Sequence, residues 1–139
     1  MRGPRERGAA MVEFALLLPL LLLVLFGLID MGRMFLVQAM VTNGAREGAR
    51  MAALGYSASE ITARAEASMP NLNGVSGGTH TVVPTTACPS VLTATSERSV
   101  TVTVSGFNWV ALGAISGLFP GGGITPPQPT ATSSMRCSG

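Results

Sequence analysis

The stretch Gly8-Ala-Ala-Met-Val-Glu-Phe14, followed by an apolar run that continues to Ile29, decides how this chain is organised. It combines a small residue, a single carboxylate at Glu13 and an aromatic residue with a long hydrocarbon-like segment. Residues 14–29 are uncharged and nine of them are leucine. A helix that spans a bilayer needs about 20 apolar residues, and apolar neighbours on both sides extend the run to that length. We therefore predict a membrane-spanning helix.

A short basic leader precedes the apolar run. Residues 1–8 carry three arginines against one glutamate, and basic residues beside a membrane span tend to stay in the cytoplasm. We predict a cytoplasmic leader at residues 1–8 and the transmembrane half of a long helix at residues 9–30. Everything beyond residue 30 then lies outside the cytoplasm.

The helical pattern continues beyond the membrane as an amphipathic half at residues 31–54. Apolar and small residues recur there at three- and four-residue steps, namely at Met34, Val37, Val41, Ala45, Gly48 and Ala52. Small residues allow two backbones to approach closely. This face therefore packs either against other helices of the same kind or against the protein's own sheet.

Charged residues interrupt the long helix at two places. Asp30 and Arg33 stand three residues apart, so they can pair on one helix face, and they mark the outer membrane boundary. Arg46, Glu47 and Arg50 form a second group, which is either a solvated helix face or a contact that orients the subunit in an assembly.

Residues 55–139 are predicted to form a small domain with an antiparallel sheet, so the fold class is α+β. A capping box, Ser57 with Glu60, begins a second helix at about residues 58–68, and residues 71–78 are a predicted loop. Strands are predicted at residues 79–83, 90–95, 99–107 and 131–136. In the third strand, alternation places Val100, Val102 and Val104 on one face.

The apolar segment 109–119 either folds onto the sheet, which we favour, or forms an exposed docking patch.

The sequence offers no sign of catalytic, metal-binding or cofactor-binding chemistry. His80 is the only histidine, we expect it at the surface, and the two cysteines are too distant for a zinc site. Neither a nucleophile elbow nor a phosphate-binding loop occurs. Cys88 and Cys137 are an even pair and predict one disulfide in an exported domain. A net charge of +2 gives no indication of a nucleic-acid partner.

Glu13 leaves three interpretations of the N-terminus open. The apolar run could be a cleaved secretory signal, although no small-x-small site follows it, or a plain signal anchor. In the third interpretation a peptidase cuts after Gly8, and the new ammonium of Ala9 lies one helical turn from Glu13. A carboxylate at the membrane is costly and suggests a function. The Glu13 carboxylate would pair with the Ala9 ammonium of the same or a neighbouring subunit. Alternatively, it would lie among the lipid headgroups and cap the helix N-terminus.

Gly8, four further residues, Glu13 and Phe14 together resemble the processing motif of type IV prepilins in the short-leader Flp/Tad form. Three stretches resemble the TadE-like family of minor pseudopilins: Arg7-Gly-Ala-Ala-Met-Val-Glu-Phe-Ala-Leu-Leu-Leu-Pro19, Ile29-Asp-Met-Gly-Arg33 and Asn43-Gly-Ala-Arg-Glu-Gly-Ala-Arg50. This resemblance covers about the first 50 residues. It implies a pilin-like fold, cleavage between Gly8 and Ala9, and an assembly role for Glu13 and Phe14.

The resemblance also implies a structural function and no enzymatic activity. The chain would be a minor pseudopilin of a Tad/Flp-type pilus in the bacterial cytoplasmic membrane, contributing to pilus biogenesis, adherence and biofilm formation. Its partners would be a prepilin peptidase, a sibling minor pilin, the major Flp pilin, the inner-membrane assembly platform and the lipid bilayer. The alternative is an unprocessed single-pass membrane protein whose outer domain binds a ligand or partner.

Overall fold

The computed structural model describes residues 4–85, 88, 96–116 and 125–137, with the backbone alone at residues 4–7 and 114–116. Its elements are α1 (Pro4–Ala53), α2 (Ala58–Ala67), α3 (Leu72–Ser76), β1 (Thr79–Pro84), β2 (Glu97–Ser105), α4 (Ala111–Ser116) and β3 (Thr130–Arg136). The α+β prediction, with one long N-terminal helix and a small antiparallel sheet, is confirmed. The predicted strand at 90–95 and residues 117–119 of the apolar segment lie outside the described residues.

Helix α1 is 50 residues long, continues through Pro19 and ends in a glycine cap. Gly55 has a φ of +83°, a left-handed conformation that glycine adopts without a Cβ penalty. The amide of Tyr56 donates to the carbonyl of Met51, and the amide of Gly55 donates to that of Ala52. This pair of bonds is a Schellman motif, and it ends the helix within one residue of the end predicted at residue 54.

The chain divides into two compact units, and the division falls within α1. The first contains residues 4–32 together with residues 109–116. The second contains residues 33–85, 88, 96–108 and 125–137, including the whole sheet.

The sheet of the second unit has the order β1-β2-β3, with both pairs antiparallel. Val100, Val102 and Val104 are fully buried on its inner face, as the alternation predicts. On the outer face Thr101 and Thr103 share hydrogen bonds with Thr132 and Thr130 across the strand pair. Cross-strand threonine pairs of this kind stabilise a solvent-facing sheet surface.

The small-residue stripe of α1 packs against the protein's own second unit. Val37, Val41, Ala45, Ala49 and Ala52 are buried. A Cβ added at Gly48 would lie 2.9 Å from Cγ1 of Val100, and one added at Gly44 would collide with the Met69 side chain. At these positions the glycines serve intramolecular packing, which is the second of the two alternatives for this face.

Three local predictions need correction. Residues 71–78 are not all loop, because Leu72 and Ser76 are buried and the chain makes one helical turn, α3, after Asn71 adopts a left-handed φ of 58°. Strand β2 ends at Ser105 instead of residue 107, because Gly106 turns the chain with a φ of +78°. Burial of the 109–119 segment is also wrong for Val110, which is 64% exposed, whereas Trp109, Ala111 and Leu112 are half-buried.

Candidate functional site

The four residues of the predicted processing region lie exposed on the first part of α1. Gly8, Ala9, Glu13 and Phe14 are all exposed, and Phe14 exposes 60% of its surface. A Cβ added at Gly8 would meet no atom within 4 Å. Ala9 and Glu13 are four residues apart on a continuous helix, so they share one face. Nothing in the fold itself explains the glycine or the carboxylate.

The part of the chain that the structure describes leaves the apolar run beyond this region uncovered. Every residue from 8 to 29 is exposed or half-buried. Within the described residues, α1 from Gly8 onwards is the one helix long and apolar enough to cross a membrane, and its most apolar window is not buried at all. The thirteen Leu, Phe, Val and Ile side chains of residues 14–29 provide about −4 to −8 kcal/mol of insertion free energy. The run is therefore a candidate membrane span.

Asp30 is the one residue between positions 8 and 32 that is buried. Its side chain binds the backbone of a distant segment. Its carboxylate is fully buried and accepts hydrogen bonds from the amides of Val110, Ala111 and Leu112 at 3.1, 3.0 and 2.7 Å. These amides begin α4, whose first N–H groups have no intrahelical acceptor. Asp30 therefore caps α4 from another helix, and the negative charge lies at the favourable end of that helix.

Arg33 makes a corresponding set of contacts in the second unit. Its Nε donates to the carbonyl of Val75 at 2.6 Å, and its two terminal nitrogens donate to the carbonyls of Ser76 and Asn108 at 2.9 and 3.0 Å. The guanidinium also stands 5.0 Å from the ring centroid of Phe107, within cation–π range. One side chain thus joins α1, α3 and the segment after β2.

The remaining charged residues of the predicted assembly face are mostly exposed. Asn43, Arg46 and Arg50 are exposed, while Glu47 is half-buried. Glu47 accepts from Arg64 of α2 in an ion pair of 3.3 Å. Exposed pairs contribute little to stability, about 0–1 kcal/mol. Of the six charged or amide residues singled out on α1, the structure gives Asp30 and Arg33 extensive contacts and leaves three exposed.

Cys88 and Cys137 are joined by a disulfide, the pairing predicted from the sequence, with Cα atoms 6.1 Å apart. The bond closes a loop with a sequence separation of 49 residues. Cys137 directly follows β3, and its amide donates to the carbonyl of Ser96 next to β2. The disulfide therefore links Cys88, four residues after the end of β1, to the end of β3.

Two titratable groups of the second unit, His80 and Glu60, form structural contacts. No group of three potential metal ligands occurs in the part of the chain that the structure describes. His80 is partly buried instead of lying on the surface: its Nδ1 lies 2.7 Å from Asn73 Oδ1 and its Nε2 lies 3.9 Å from Glu66. Hydrogen bonds from the Ser57 hydroxyl and amide lower the pKa of the Glu60 carboxyl below its usual range, which confirms the capping box.

Sequence reasoning missed two features of these sites. The capping of α4 by Asp30 has no sequence signal, because its partners are backbone amides some 80 residues away. The burial of Arg98 had a signal that was overlooked. Arg98 stands two residues before Val100, so the same alternation that buries the valines places it on the inner face, where it is 5% exposed.

The family model described as "TadE-like protein" matches residues 8–50. The match begins at the glycine of the predicted processing motif and includes Glu13, Asp30, Arg33 and the Asn43–Arg50 stretch. No curated protein and no solved structure matches the chain significantly. TadE-like proteins are structural components of Tad pilus systems, so the match associates the chain with such a system. Residues 8–50 of this chain are therefore similar to the TadE-like family.

Proposed function

We propose that this chain is a minor pseudopilin of a Tad/Flp-type pilus, processed between Gly8 and Ala9 by a prepilin peptidase. The observation that carries the proposal is the position of the TadE-like match on α1. It begins at Gly8, runs along an apolar surface that the chain leaves uncovered, and ends on a helix face buried by the chain's own domain. Such a helix requires lipid or other helices around its first half.

Processing is supported by the surroundings of Gly8. Because a Cβ there would meet no other atom, the fold does not require glycine at this position. Recognition by another protein does explain it. The new N-terminus would be the ammonium of Ala9, close to the exposed Glu13 carboxylate on the same helix face.

Glu13 then sets the axial register between neighbouring helices. In a packed bundle within the membrane, a carboxylate is stable only beside a positive charge, and an unpaired buried charge costs several kcal/mol. The Ala9 ammonium of the same or a neighbouring subunit supplies that charge. Phe14 would pack beside it at the edge of the hydrocarbon.

The subunit first resides in the bacterial cytoplasmic membrane with its N-terminus inside and its sheet domain outside. From there it joins a sibling minor pilin and the major Flp pilin at the inner-membrane assembly platform. Arg46 and Arg50, which the fold leaves exposed, are available for contacts with these partners. The biological result is pilus biogenesis, adherence and biofilm formation.

The intact mass of the membrane-extracted protein tests processing. We expect a species that begins at Ala9 in cells with an active pilus system. Gly8→Val should leave the leader in place, whereas the control Gly27→Val should be processed normally, since a Cβ is free of contacts at both positions. Retention of residues 1–8 by the wild-type chain in such cells would contradict the proposal.

Variants of Glu13 test the register role separately. Glu13→Ala should be cleaved normally but enter pili much less often, because the Ala9 ammonium loses its partner. Met11→Ala, a neighbouring exposed residue without charge, is the matched control and should be incorporated like the wild type. Quantitative blotting of sheared pili against membranes measures the ratio. Normal incorporation of Glu13→Ala would refute this role.

A further inference from the structure

A cavity of about 410 Å³ lies in the second unit, away from the surfaces discussed above. It is bounded by the start of α2, the end of β1 and the inner face of β2, with Tyr56, Ala58, Ile61, Pro84, Thr85 and Arg98 in its wall. Ile61 is fully buried and supplies an apolar floor, while Tyr56 is exposed at the rim. A volume of this size accommodates a small organic molecule or one large side chain.

Arg98 is the unusual group in this wall. Its side chain is 5% exposed, yet among the described residues its Nε has no hydrogen-bond partner. The other two arginines with defined contacts in this unit differ in this respect: Arg33 donates to three carbonyls and Arg64 pairs with Glu47. A buried N–H of a charged side chain without an acceptor is costly, so an acceptor that entered the cavity from outside would be stabilised there.

The nearby carboxylates of the described chain do not fill this role. Glu97 is exposed on the opposite side of β2. Glu60 is engaged in the capping box, where its Oε2 accepts from the Ser57 amide and hydroxyl, and it is not part of the cavity wall. The hydroxyl of Thr85 is likewise occupied by the backbone of Ser99.

A second donor comes from the first turn of α2. This helix has ten residues, and its capping box satisfies the amides of Ser57 and Glu60. The amide of Ala58 is one of the donors that a helix start leaves without an intrahelical acceptor. The partial positive charge of the helix end adds to the charge of Arg98.

We propose that this cavity binds a carboxylate carried on a small apolar group, with the Arg98 guanidinium as its counter-ion. The planar fork of arginine matches a carboxylate, the Ala58 amide is a further donor, and the apolar body contacts Ile61 and Pro84. The negative charge of Glu60 near the same helix end disfavours a dianion such as phosphate. The carboxylate belongs either to a free small molecule or to the C-terminus of a peptide chain.

NMR titration of the full-length chain in detergent micelles tests the site. Benzoate and isobutyrate should shift the Arg98 Nε–H and Ala58 amide signals saturably, with a Kd on the order of 1 mM for ligands of this size. Benzamide and isobutyramide, which have the same shape without charge, should bind at least tenfold more weakly. Equal binding of the amides, or no saturable shift with either acid, would overturn the proposal, as would tighter binding of inorganic phosphate.

Two variants and one control keep the outcome interpretable. Arg98→Met should abolish carboxylate binding, and replacement of a buried charge by an apolar residue of similar size usually preserves the fold. Tyr56→Phe, at the exposed rim, keeps the ring in the wall without touching the core and should leave the benzoate Kd within about threefold. Arg46→Met is the control and should bind as the wild type does. Unchanged binding by Arg98→Met would overturn the assignment of Arg98.

A titration with two peptides distinguishes the two sources of the carboxylate. A short peptide ending in a leucine carboxylate is compared with the same peptide ending in an amide. Binding at least tenfold tighter than isobutyrate, and lost on amidation, assigns the site to a protein C-terminus. Binding no tighter than isobutyrate assigns it to a free small carboxylate. Either result supports a carboxylate site and is independent of cleavage at Gly8.

Discussion

The two halves of α1 differ in how their apolar side chains are covered. Residues 8–29 are rich in leucine and phenylalanine, and none of them is buried by the chain. Residues 33–53 have a stripe of valine, alanine and glycine that is buried against α2 and the sheet. Large side chains thus occur where the chain provides no partner, and small ones occur where its own backbone comes close.

The glycines of α1 show the same difference in a sharper form. A Cβ at Gly8, Gly27 or Gly32 would meet nothing, whereas one at Gly44 or Gly48 would collide with side chains of the same protein. Glycine in the second half is therefore explained by folding, and glycine in the first half is not. The TadE-like match spans both halves, so its residues combine two kinds of constraint.

The largest expected effect comes from removing the disulfide, which should destabilise the second unit and leave the first unchanged. Replacement of both Cys88 and Cys137 by serine should lower the free energy of unfolding of the sheet by about 2–4 kcal/mol, because a long loop is no longer closed in the unfolded chain. Amide exchange at Val102 measures this loss in the full-length protein. Exchange at residues 20–25 of α1 should not change, and equal loss in both regions would contradict the separation.

A pair of matched glycine substitutions tests the difference between the halves directly. Gly48→Val should destabilise the second unit by about 1–3 kcal/mol, because its side chain would overlap Val100. Gly27→Val should leave that unit unchanged. Chemical denaturation followed by the signals of β2 reports both variants. If the two substitutions cost the same, close packing of the second half is not the reason for its glycines.

Asp30 and Arg33 stabilise different segments although they are only three residues apart. Asp30→Asn should lower protection of the Val110–Leu112 amides from exchange by roughly 1–2 kcal/mol, since neutral hydrogen bonds replace charge-assisted ones. Arg33 donates to the carbonyls of Val75 and Ser76. The amides that follow these carbonyls, those of Ser76 and Gly77, should keep their protection from exchange in Asp30→Asn. Arg33→Lys should give the reverse pattern, because a lysine cannot reproduce the forked contacts.

The smallest effect concerns the capping box of α2. Hydrogen bonds from Ser57 lower the pKa of Glu60 in the folded state, so their stabilisation is present above the unfolded pKa of about 4.3 and is lost as the pH falls through the folded pKa. The protection of the Glu60 amide from exchange, relative to its intrinsic rate at each pH, should therefore fall only at the lowest pH values. Glu60→Gln should remove this pH dependence, and its persistence in that variant would point to another group.

Elements with local periodicity could be predicted from the sequence, and contacts between distant segments could not. The alternation of Val100, Val102 and Val104 identified the inner face of β2, and the Ser57 and Glu60 spacing identified the start of α2. Helix α3 was missed because Asn, Gly and Ser favour turns and its burial depends on Leu72 packing. The capping of α4 by Asp30 was unpredictable, since backbone amides carry no residue-specific signature.

The candidate sites follow the same division. Glu13 and the charged positions of α1 were found from the residues themselves, because a charge beside or within an apolar helix is a local pattern, and the resemblance added their expected roles. Arg98 was not identified because the predicted strand began at residue 99, whereas β2 begins at Glu97. Its isolation from an acceptor depends on three elements meeting around one cavity, which no local pattern encodes.

The surroundings of two leucines test the central claim most directly, that the first half of α1 lies in lipid and the chain just beyond α1 lies in water. Leu20 and Leu54 are 62% and 58% exposed, one within the apolar run and one just beyond α1. Spin labels at these positions in lipid vesicles should respond differently to relaxation agents. The label at 20 should be reached by oxygen and not by a water-soluble nickel complex, and the label at 54 should be reached by the nickel complex. Equal access of the nickel complex to both positions would contradict the account.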